Sequence, residues 1–524
     1  MNQGKEGADR RWTLYSWLII GFLFFLLLLR WPLLPNFLDI YYHLATAQGF
    51  AKAGGFITHD FWSYAPVGRP HLYPPLFHFV ILALLKTGLS PLFVARLLDV
   101  FVFPAFLAVI WFFMYSLFNG RLAFFSILIS ASLYSFYLAS SNFMPATFAC
   151  IFGLLSFWAH ERGRIISASI FLSLAFYSHA QIPWFFVLSY IAYGLFNRAQ
   201  LTRCLSVVLC GIVLSLPIIA HLFRNMHFYN PKLMYENFIL ELNLYMLLAF
   251  LSIKMVFHEK GRFFLLFSLG IAILPFIFSY PYRYISGQGL LGLIFLSAVG
   301  LDLFFQKKAA IPLVIPWIIL FILCSPTIAV TRNKAVNFSI FNSTYINLVS
   351  FEKKIQRPNE YSLSSSKFMD ELVRIVKTNS KDNDIISTNL PFMGTVISAL
   401  AERADADAML QEIDPGTWQD PVRQAKLIIW FKDKEGRRDR KLSALVSAYH
   451  LEKVAETGIA HVYRNNVTRS RERVQRADIP NRFILLICLL AISVLVWDLP
   501  QKAAHPTEGG TPAVPIRRGA RPIR

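Results

Sequence analysis

Charge is scarce in this chain of 524 residues. Charged side chains make up 16% of it, against ~25% in an ordinary soluble domain. Acids are the scarcer sign, with 31 Asp and Glu against 51 Lys and Arg. So small a polar complement excludes both a set of soluble domains and an intrinsically disordered chain. Cysteine is scarce as well. The five (Cys150, Cys204, Cys210, Cys324 and Cys488) each lie in an apolar run, and no C-x-x-C pair occurs. That leaves no disulfide-built secreted scaffold and no cysteine-ligated metal. What abounds is hydrocarbon: 55% of residues are hydrophobic and Phe alone counts 49. One core cannot hide this much apolar surface, so most of the chain should lie in a bilayer.

A spanning helix needs ~20 mostly apolar residues. The first such run is Trp12 to Leu29, preceded by Lys5, Arg10 and Arg11. It is too long for a cleaved signal and lacks a small-residue cleavage site, so it reads as an anchor. Further runs fall near 93–118, 122–139, 146–159, 165–178, 184–196, 204–221, 239–257, 263–279, 284–305, 311–326 and 481–498. The expected fold is an α-helical polytopic membrane protein of about 12 spans. The net charge of +20 resembles a nucleic-acid signal, but much of it sits in short loops between apolar runs. With the N-terminus in the cytoplasm, Arg121, Arg162, Arg164, Arg198, Arg203, Lys260, Arg262, Lys307 and Lys308 fall on the inner side. This is the positive-inside pattern, and it points to a lipid bilayer, not nucleic acid, as the partner.

The same alternation divides the chain into four regions. Residues 1–326 form a transmembrane domain with a large first outer loop, 30–92. Residues 327–480 are polar, with short alternating runs at Leu427–Trp430 and Ala460–Tyr463, and read as a small extracytoplasmic α/β domain. A terminal span covers 481–498, and 499–524 reads as a disordered, basic cytoplasmic tail. Within the first loop, 74–86 is apolar but short for a span, as a re-entrant or interfacial helix would be.

The polar residues of the outer loops are where chemistry would occur. Asp39 opens the run IYYHLATAQGFAKA, as a helix N-cap or as a general base or metal ligand at the water boundary. In WSYAPVGRPHLYPPL, Gly68 permits a tight turn, and the loop offers Arg69, His71 and Tyr73. Arginine's planar fork matches phosphate oxygens; an ordered loop with incidental polar residues is the alternative. His43, one turn after Asp39, shares its helix face. His179 reads as a capping or packing residue, and Arg96 and Asp99 as a pair that neutralises itself inside a span.

The stretch 37–82 resembles the first outer loop of the catalytic subunit of oligosaccharyltransferases, membrane glycosyltransferases of the GT-C fold. That family places an Asp after the first span within an F-D-P-aromatic string, then W-Y-P-x-G-R, then Y-P. Here Phe37-Leu38-Asp39-Ile40-Tyr41, Ser63-Tyr64-Ala65-Pro66-Val67-Gly68-Arg69 and Tyr73-Pro74 follow in the same order and spacing. The resemblance implies a catalytic Asp39, as metal ligand or as the base that deprotonates an acceptor hydroxyl for inverting attack. It implies a donor-phosphate contact for Arg283 in SYPYRYISGQG, against an interfacial snorkelling Arg. It matches Glu236 in MYENF to an acid of a mobile outer loop, against a solvated loop acid.

The chain departs from that family at two places. The second outer loop, Ser140-Ser141-Asn142-Phe143-Met144-Pro145, has no acid where the family has D-x-D or D-N-E. One carboxylate suits a hard cation poorly, so a metal-independent mechanism is favoured over Mg or Mn on Asp39. The family's W-W-D-Y-G has as counterpart Asn389-Leu390-Pro391-Phe392-Met393-Gly394, with Phe392 where the Asp should be. The expectation is an extracytoplasmic glycosyltransferase that uses a polyprenyl-phosphate or pyrophosphate sugar donor and a protein or glycolipid acceptor. Asp39 and Glu236 are its candidate catalytic residues, and Arg69, His71, Tyr73 and Arg283 its donor-binding residues. The rivals are an oligosaccharyltransferase for protein N-glycosylation and a non-catalytic lipid-linked-sugar binding protein or transporter.

Overall fold

A computed structural model of the chain describes residues 2–35, 39–229, 240–277, 282–306, 314–330, 335–355, 366–407, 420–432, 437–468, 470–473 and 475–501. Apolar helices dominate it. Ten lead the chain: α1 (Asn2–Leu29), α2 (Asp39–Ala53), α3 (Leu76–Lys86), α4 (Pro91–Leu117), α5 (Gly120–Ser132), α6 (Tyr134–Asn142), α7 (Met144–Glu161), α8 (Ile165–Ser178), α9 (Ile182–Phe196) and α10 (Leu201–Arg224).

Among the described residues, five helical stretches are long and apolar enough to cross a membrane: Asp9–Leu29, Pro91–Leu117, Arg198–Arg224, Gln288–Phe305 and Asn481–Asp498. A sixth is possible if α6 and α7, bent by 102° at their junction, count as one. The other apolar helices are shorter. α5 is buried along nearly its whole length, so its neighbours, not lipid, cover it. Lipid-facing surface is plain on the outermost helices. Leu209, Val213 and Leu216 of α10 are exposed, whereas Cys204, Val207, Gly211 and Ser215 on its other face are buried. Helix Asn481–Gln501 exposes Leu485, Ile487, Leu490 and Val496.

Three apolar runs differ from their sequence reading. The run 122–139 breaks at Leu133, whose extended backbone bridges to Ser343. The run 239–257 opens as a strand, Leu240–Asn243, paired antiparallel with Thr327–Val330, and turns through a 3-10 segment, Leu244–Leu247, into the α-helix Leu248–Glu259. Glu241 lies in that strand, and its backbone exchanges hydrogen bonds with Ser286 Oγ. The last helix continues through Gln501, and the tail from 502 lies outside the described residues.

The bundle has two ends. At one end Asp9 caps Gly120, Arg121 pairs with Asp302, and Glu161 lies 3.3 Å from Arg262. Asp498 of the last helix accepts a hydrogen bond there from Ser167 Oγ. The opposite end carries the α6–α7 junction, the α8–α9 turn and a single π-helical turn, Tyr282–Ser286.

Beyond that end, Glu452–Glu456, Ala460–Arg464, Leu427–Phe431, Ile385–Thr388 and Ala404–Asp405 form a five-stranded sheet in that spatial order. The last three strands run parallel, and the first two add antiparallel. Ile385–Thr388 and Leu427–Phe431 are buried at every residue, as parallel strands covered on both faces are. Their core is shared with the first loop. Tyr41, Leu44 and Phe50 of α2 and Phe77 and Ile81 of α3 belong to one cluster with Leu372, Ile386, Ile397 and Ile429. Tyr345 and Leu348, by contrast, belong to the core of the helix bundle.

Helices approach closely where they carry no side chain. A Cβ on Gly300 would overlap the carbonyl oxygen of Leu248, a small-residue contact of the kind that brings membrane helices together. Gly300→Ala is expected to destabilise the protein by about 1–3 kcal/mol, read as earlier loss of monodisperse protein on heating in detergent. Gly21, which has open space around it, supplies the control Gly21→Ala. Equal heat resistance of the two variants would refute the close contact.

Candidate functional site

Asp39 is the first residue of α2 and is half-buried. A carboxylate there sits at the positive end of the helix dipole. One turn on, Tyr42 and His43 face the first loop, where the Tyr73 ring lies 6.0 Å from Tyr42 and 4.9 Å from His43. Tyr73 in turn is 6.2 Å, edge-on, from His179. Arg283 Nη1 is 2.9 Å from His179 Nε2, and its guanidinium stacks 4.7 Å over the Phe143 ring. The structure thus links α2, the first loop, the α8–α9 turn, the α6–α7 junction and the π-helical turn. Of the sequence candidates, Tyr73 and Arg283 join this chain of contacts. Glu236 lies outside the described residues.

His179 connects them, although its sequence suggested only capping or packing. It does cap: its Nδ1 accepts the backbone N–H groups of Gln181 and Ile182 at 3.0 and 3.2 Å. The Nε2 edge is then left facing Arg283. A His placed just before a helix start, with an Arg in another outer turn, was the only signal available in the sequence.

Arg69 and His71 lie behind this front. Arg69 is 1% exposed and meets Asp60, itself wholly buried, at 3.2 Å. Burial works against the guanidinium's charge, but Asp60, with Tyr42 and Tyr64, keeps Arg69 protonated. Its guanidinium lies 5.7 Å from each of those tyrosine rings. His71 is buried too. Its ring is 5.5 Å from His78 and 5.2 Å from Phe50, and its carbonyl accepts His221 Nε2 at 2.7 Å. His43 Nδ1 and His78 Nε2 are 2.9 Å apart. Burial, then the neighbouring His71 and His179, lowers His43 to about 3. Burial, then His43, lowers His78 well below its usual value, so this histidine cluster is neutral at physiological pH.

The loop is clamped from the far side by the sheet. Ala65 N donates to Asp405 O and Asp405 N to Trp62 O, at 2.9 and 2.8 Å. Trp62 fills the space over Gly49 of α2, where any Cβ would meet its ring. Gln48 Nε2 reaches Ala399 O at 2.7 Å. Asn389 bonds both the N–H and the C=O of Phe431, and Gly394 leaves room for the Asp405 carboxylate.

Asp405 is an acid that the sequence reading did not single out. Burial raises it well above the usual carboxylate range, and the nearby Asp407 charge adds to this. The native state therefore binds a proton that the unfolded chain releases above its own value of 3.8. Stability falls as pH climbs from there through the raised native value. Asp405→Asn removes this titration. The variant is expected to outlast wild type on heating at pH 8 and to lose that advantage near pH 4. Parallel melting curves across that range would count against a protonated Asp405.

No three His, Cys, Asp or Glu side chains are grouped to hold a metal ion among the described residues. No step is routed through a cation here.

No family model matches the chain, and no curated protein resembles it in sequence. Its fold is that of the GT-C membrane glycosyltransferases. ArnT from Cupriavidus metallidurans in the apo state is similar over 86% of this chain and 98% of that chain, with 12% identity and a TM-score of 0.51. The Archaeoglobus fulgidus oligosaccharyltransferase, tethered to an acceptor peptide containing the NVT sequon, is similar over 86% of this chain and 74% of that chain. Its identity is 11% and its TM-score 0.50. ArnT bound to undecaprenyl phosphate covers 88% of this chain and 100% of its own, at 13% identity and a TM-score of 0.49. At such identities the likeness is one of fold.

Proposed function

We propose that this protein is a membrane glycosyltransferase that transfers a sugar from a polyprenyl phosphate or pyrophosphate to an acceptor on the extracytoplasmic face. One observation carries the reading. The α2 helix that Asp39 opens, Tyr73, His179 and Arg283 are linked at one end of a GT-C bundle, and Arg121 and Arg262 gather at the other. The positive-inside rule assigns the arginine-rich end to the cytoplasm. A lipid carrier suits the opposite face, because it brings an activated sugar there without a nucleotide.

In this reading Asp39 takes the proton of the acceptor hydroxyl or amide as its oxygen or nitrogen attacks the anomeric carbon. The bond between that carbon and the phosphate oxygen breaks, with inversion, and the lipid phosphate leaves with the electron pair. Arg283 offsets the charge that grows on it, and Tyr73 shapes the pocket beside it. Arg69 and His71 act from behind, by ordering the loop. The protein moiety of an acceptor, or a glycolipid, is equally compatible with a half-buried base at the boundary.

The test is transfer in proteoliposomes from a labelled polyprenyl-phosphate sugar, together with mass spectrometry of glycolipids and glycoproteins from cells with and without the protein. Turnover that persists in EDTA, and accumulation of one lipid-linked sugar when the protein is absent, are the expected results. Binding of such lipids with no turnover in either setting would make the protein a non-catalytic lipid-linked-sugar binder.

A further inference from the structure

We infer that the three-stranded sheet of Leu240–Asn243, Thr327–Val330 and Val336–Ser339 lies in the bilayer leaflet at the Asp39 end of the bundle, with its apolar face against lipid. The inference goes beyond the transferase reading and does not depend on it. Residues directly opposite each other in an antiparallel pair share a face, and so do alternate residues along a strand. The two registers therefore sort the sheet into two sets. Leu240, Leu242, Ile328, Val330, Val336 and Phe338 make one face. Glu241, Asn243, Thr327, Ala329, Asn337 and Ser339 make the other.

A sheet with one face in water turns its apolar face to the core. Here the order is reversed. On the polar face Asn243 and Thr327 are buried, and Asn243 Nδ2 donates to Ser325 Oγ and Thr327 Oγ1 at 2.7 and 3.2 Å. On the apolar face no residue is buried. Val336 is 67% and Phe338 60% exposed, and none of the six belongs to either hydrophobic core. An apolar face turned outward in this way marks an interaction surface.

The neighbouring helices say what covers it. Leu240–Asn243 leads through Leu244–Leu247 into the helix Leu248–Glu259, whose Phe250 and Leu251 are exposed. Only Cys324, Ser325 and Pro326 separate Thr327–Val330 from the helix Val314–Leu323, whose Ile315, Ile319 and Leu323 are exposed. One apolar surface thus runs from both helices onto the sheet, and lipid covers all of it. The chain beyond the sheet stays at the same level. Residues 335–351 contain no Asp, Glu, Lys, Arg or His. Tyr345 stacks on Phe22 of α1 with ring centroids 5.7 Å apart, ~10 Å short of the Leu29 end of that helix at 1.5 Å per residue.

The backbone sets the depth. Val336–Ser339 is an edge strand, with no further strand beside it among the described residues. Unpaired N–H and C=O groups are not tolerated in hydrocarbon. The sheet therefore lies at the boundary between headgroups and acyl chains, where water reaches the edge and lipid reaches the face.

The test uses the full-length protein in phosphatidylcholine–phosphatidylglycerol nanodiscs, with the photoreactive p-benzoyl-phenylalanine in place of Phe338. Two positions of similar exposure calibrate it: Val213, on the outer face of α10, and Val467, beside the five-stranded sheet. After illumination, mass spectrometry counts phospholipid adducts and locates them along the acyl chain. Adducts at 338 are expected to match those at 213 and to exceed those at 467 roughly tenfold, as insertion at the acyl boundary requires. They should fall on the glycerol half of the chain at 338 and near its methyl end at 213. If the variant at 338 does not fold, Val336 carries the same probe.

Lipid adducts at 338 no more frequent than at 467 would overturn the inference. So would a covalent dimer formed through 338 in their stead, which would give the face to a second copy of the chain. Adducts at 338 near the methyl end would overturn the boundary depth. Lipid labelling at 338 in a protein that transfers no sugar leaves this inference standing and sinks the transferase. Sugar transfer without such labelling does the reverse.

Discussion

Asp39→Asn is expected to lower sugar transfer by about 10²–10⁴-fold, the usual contribution of a positioned general base, while the protein melts where wild type does. The substitution suits the question. Asparagine replaces the carboxylate with an amide of the same shape, so packing at the start of α2 is unchanged. What is lost to stability is the favourable meeting of a negative charge with the helix N-terminus, worth ~0.3–1 kcal/mol. A stabilising role alone for Asp39 therefore predicts a small stability change with full turnover, and a catalytic role predicts the same small stability change with turnover lost. Transfer is followed from a labelled polyprenyl-phosphate sugar at saturating acceptor. Undiminished turnover would remove Asp39 from the chemistry and with it the proposed function.

Arg69→Met should cost about 3–5 kcal/mol, the expense of leaving one partner of a buried ion pair without its counter-charge. Asp60, wholly buried, has Arg69 as its ion-pair partner, and the loop that carries both packs against α2 and the sheet. The effect would be seen as a lower melting temperature in detergent and as faster hydrogen exchange between 59 and 75. Adding Asp60→Asn should recover much of the loss, because a neutral pair of similar volume leaves no orphaned charge. This is also the sharpest test of the sequence expectation that Arg69 binds the donor. If Arg69→Met melted normally yet lost donor affinity, the guanidinium would be serving a ligand and not the loop.

Both predictions turn on residues whose type was visible in the sequence and whose company was not. Asp39, Gly68, Arg69 and Tyr73 stand out because their spacing is local, and a string can carry it. Arg69 and Asp60 are nine residues apart and opposite in charge, yet nothing local in the sequence pairs them. Arg96 shows the same gap. It shares a helix with Asp99, but its guanidinium donates to the carbonyls of Pro32 and Leu33. The His179–Arg283 contact joins residues 104 apart in the chain, and Asp405 meets the first loop through backbone atoms alone. Backbone pairing of that kind leaves no trace in side-chain identity.

The sequence by itself determined that the chain is rich in membrane-type apolar runs, most of them helical, and where the basic residues lie. These depend on composition and on apolar periodicity along a single helix, which water and lipid read without reference to the rest of the molecule. Tertiary structure alone decided that Leu240–Asn243 is a strand, that the first loop shares its core with the sheet, and that His179 meets Arg283. Each of these depends on a partner far away in the chain. A hydrogen bond or a buried charge has a sign and a direction that only its neighbour in space can supply.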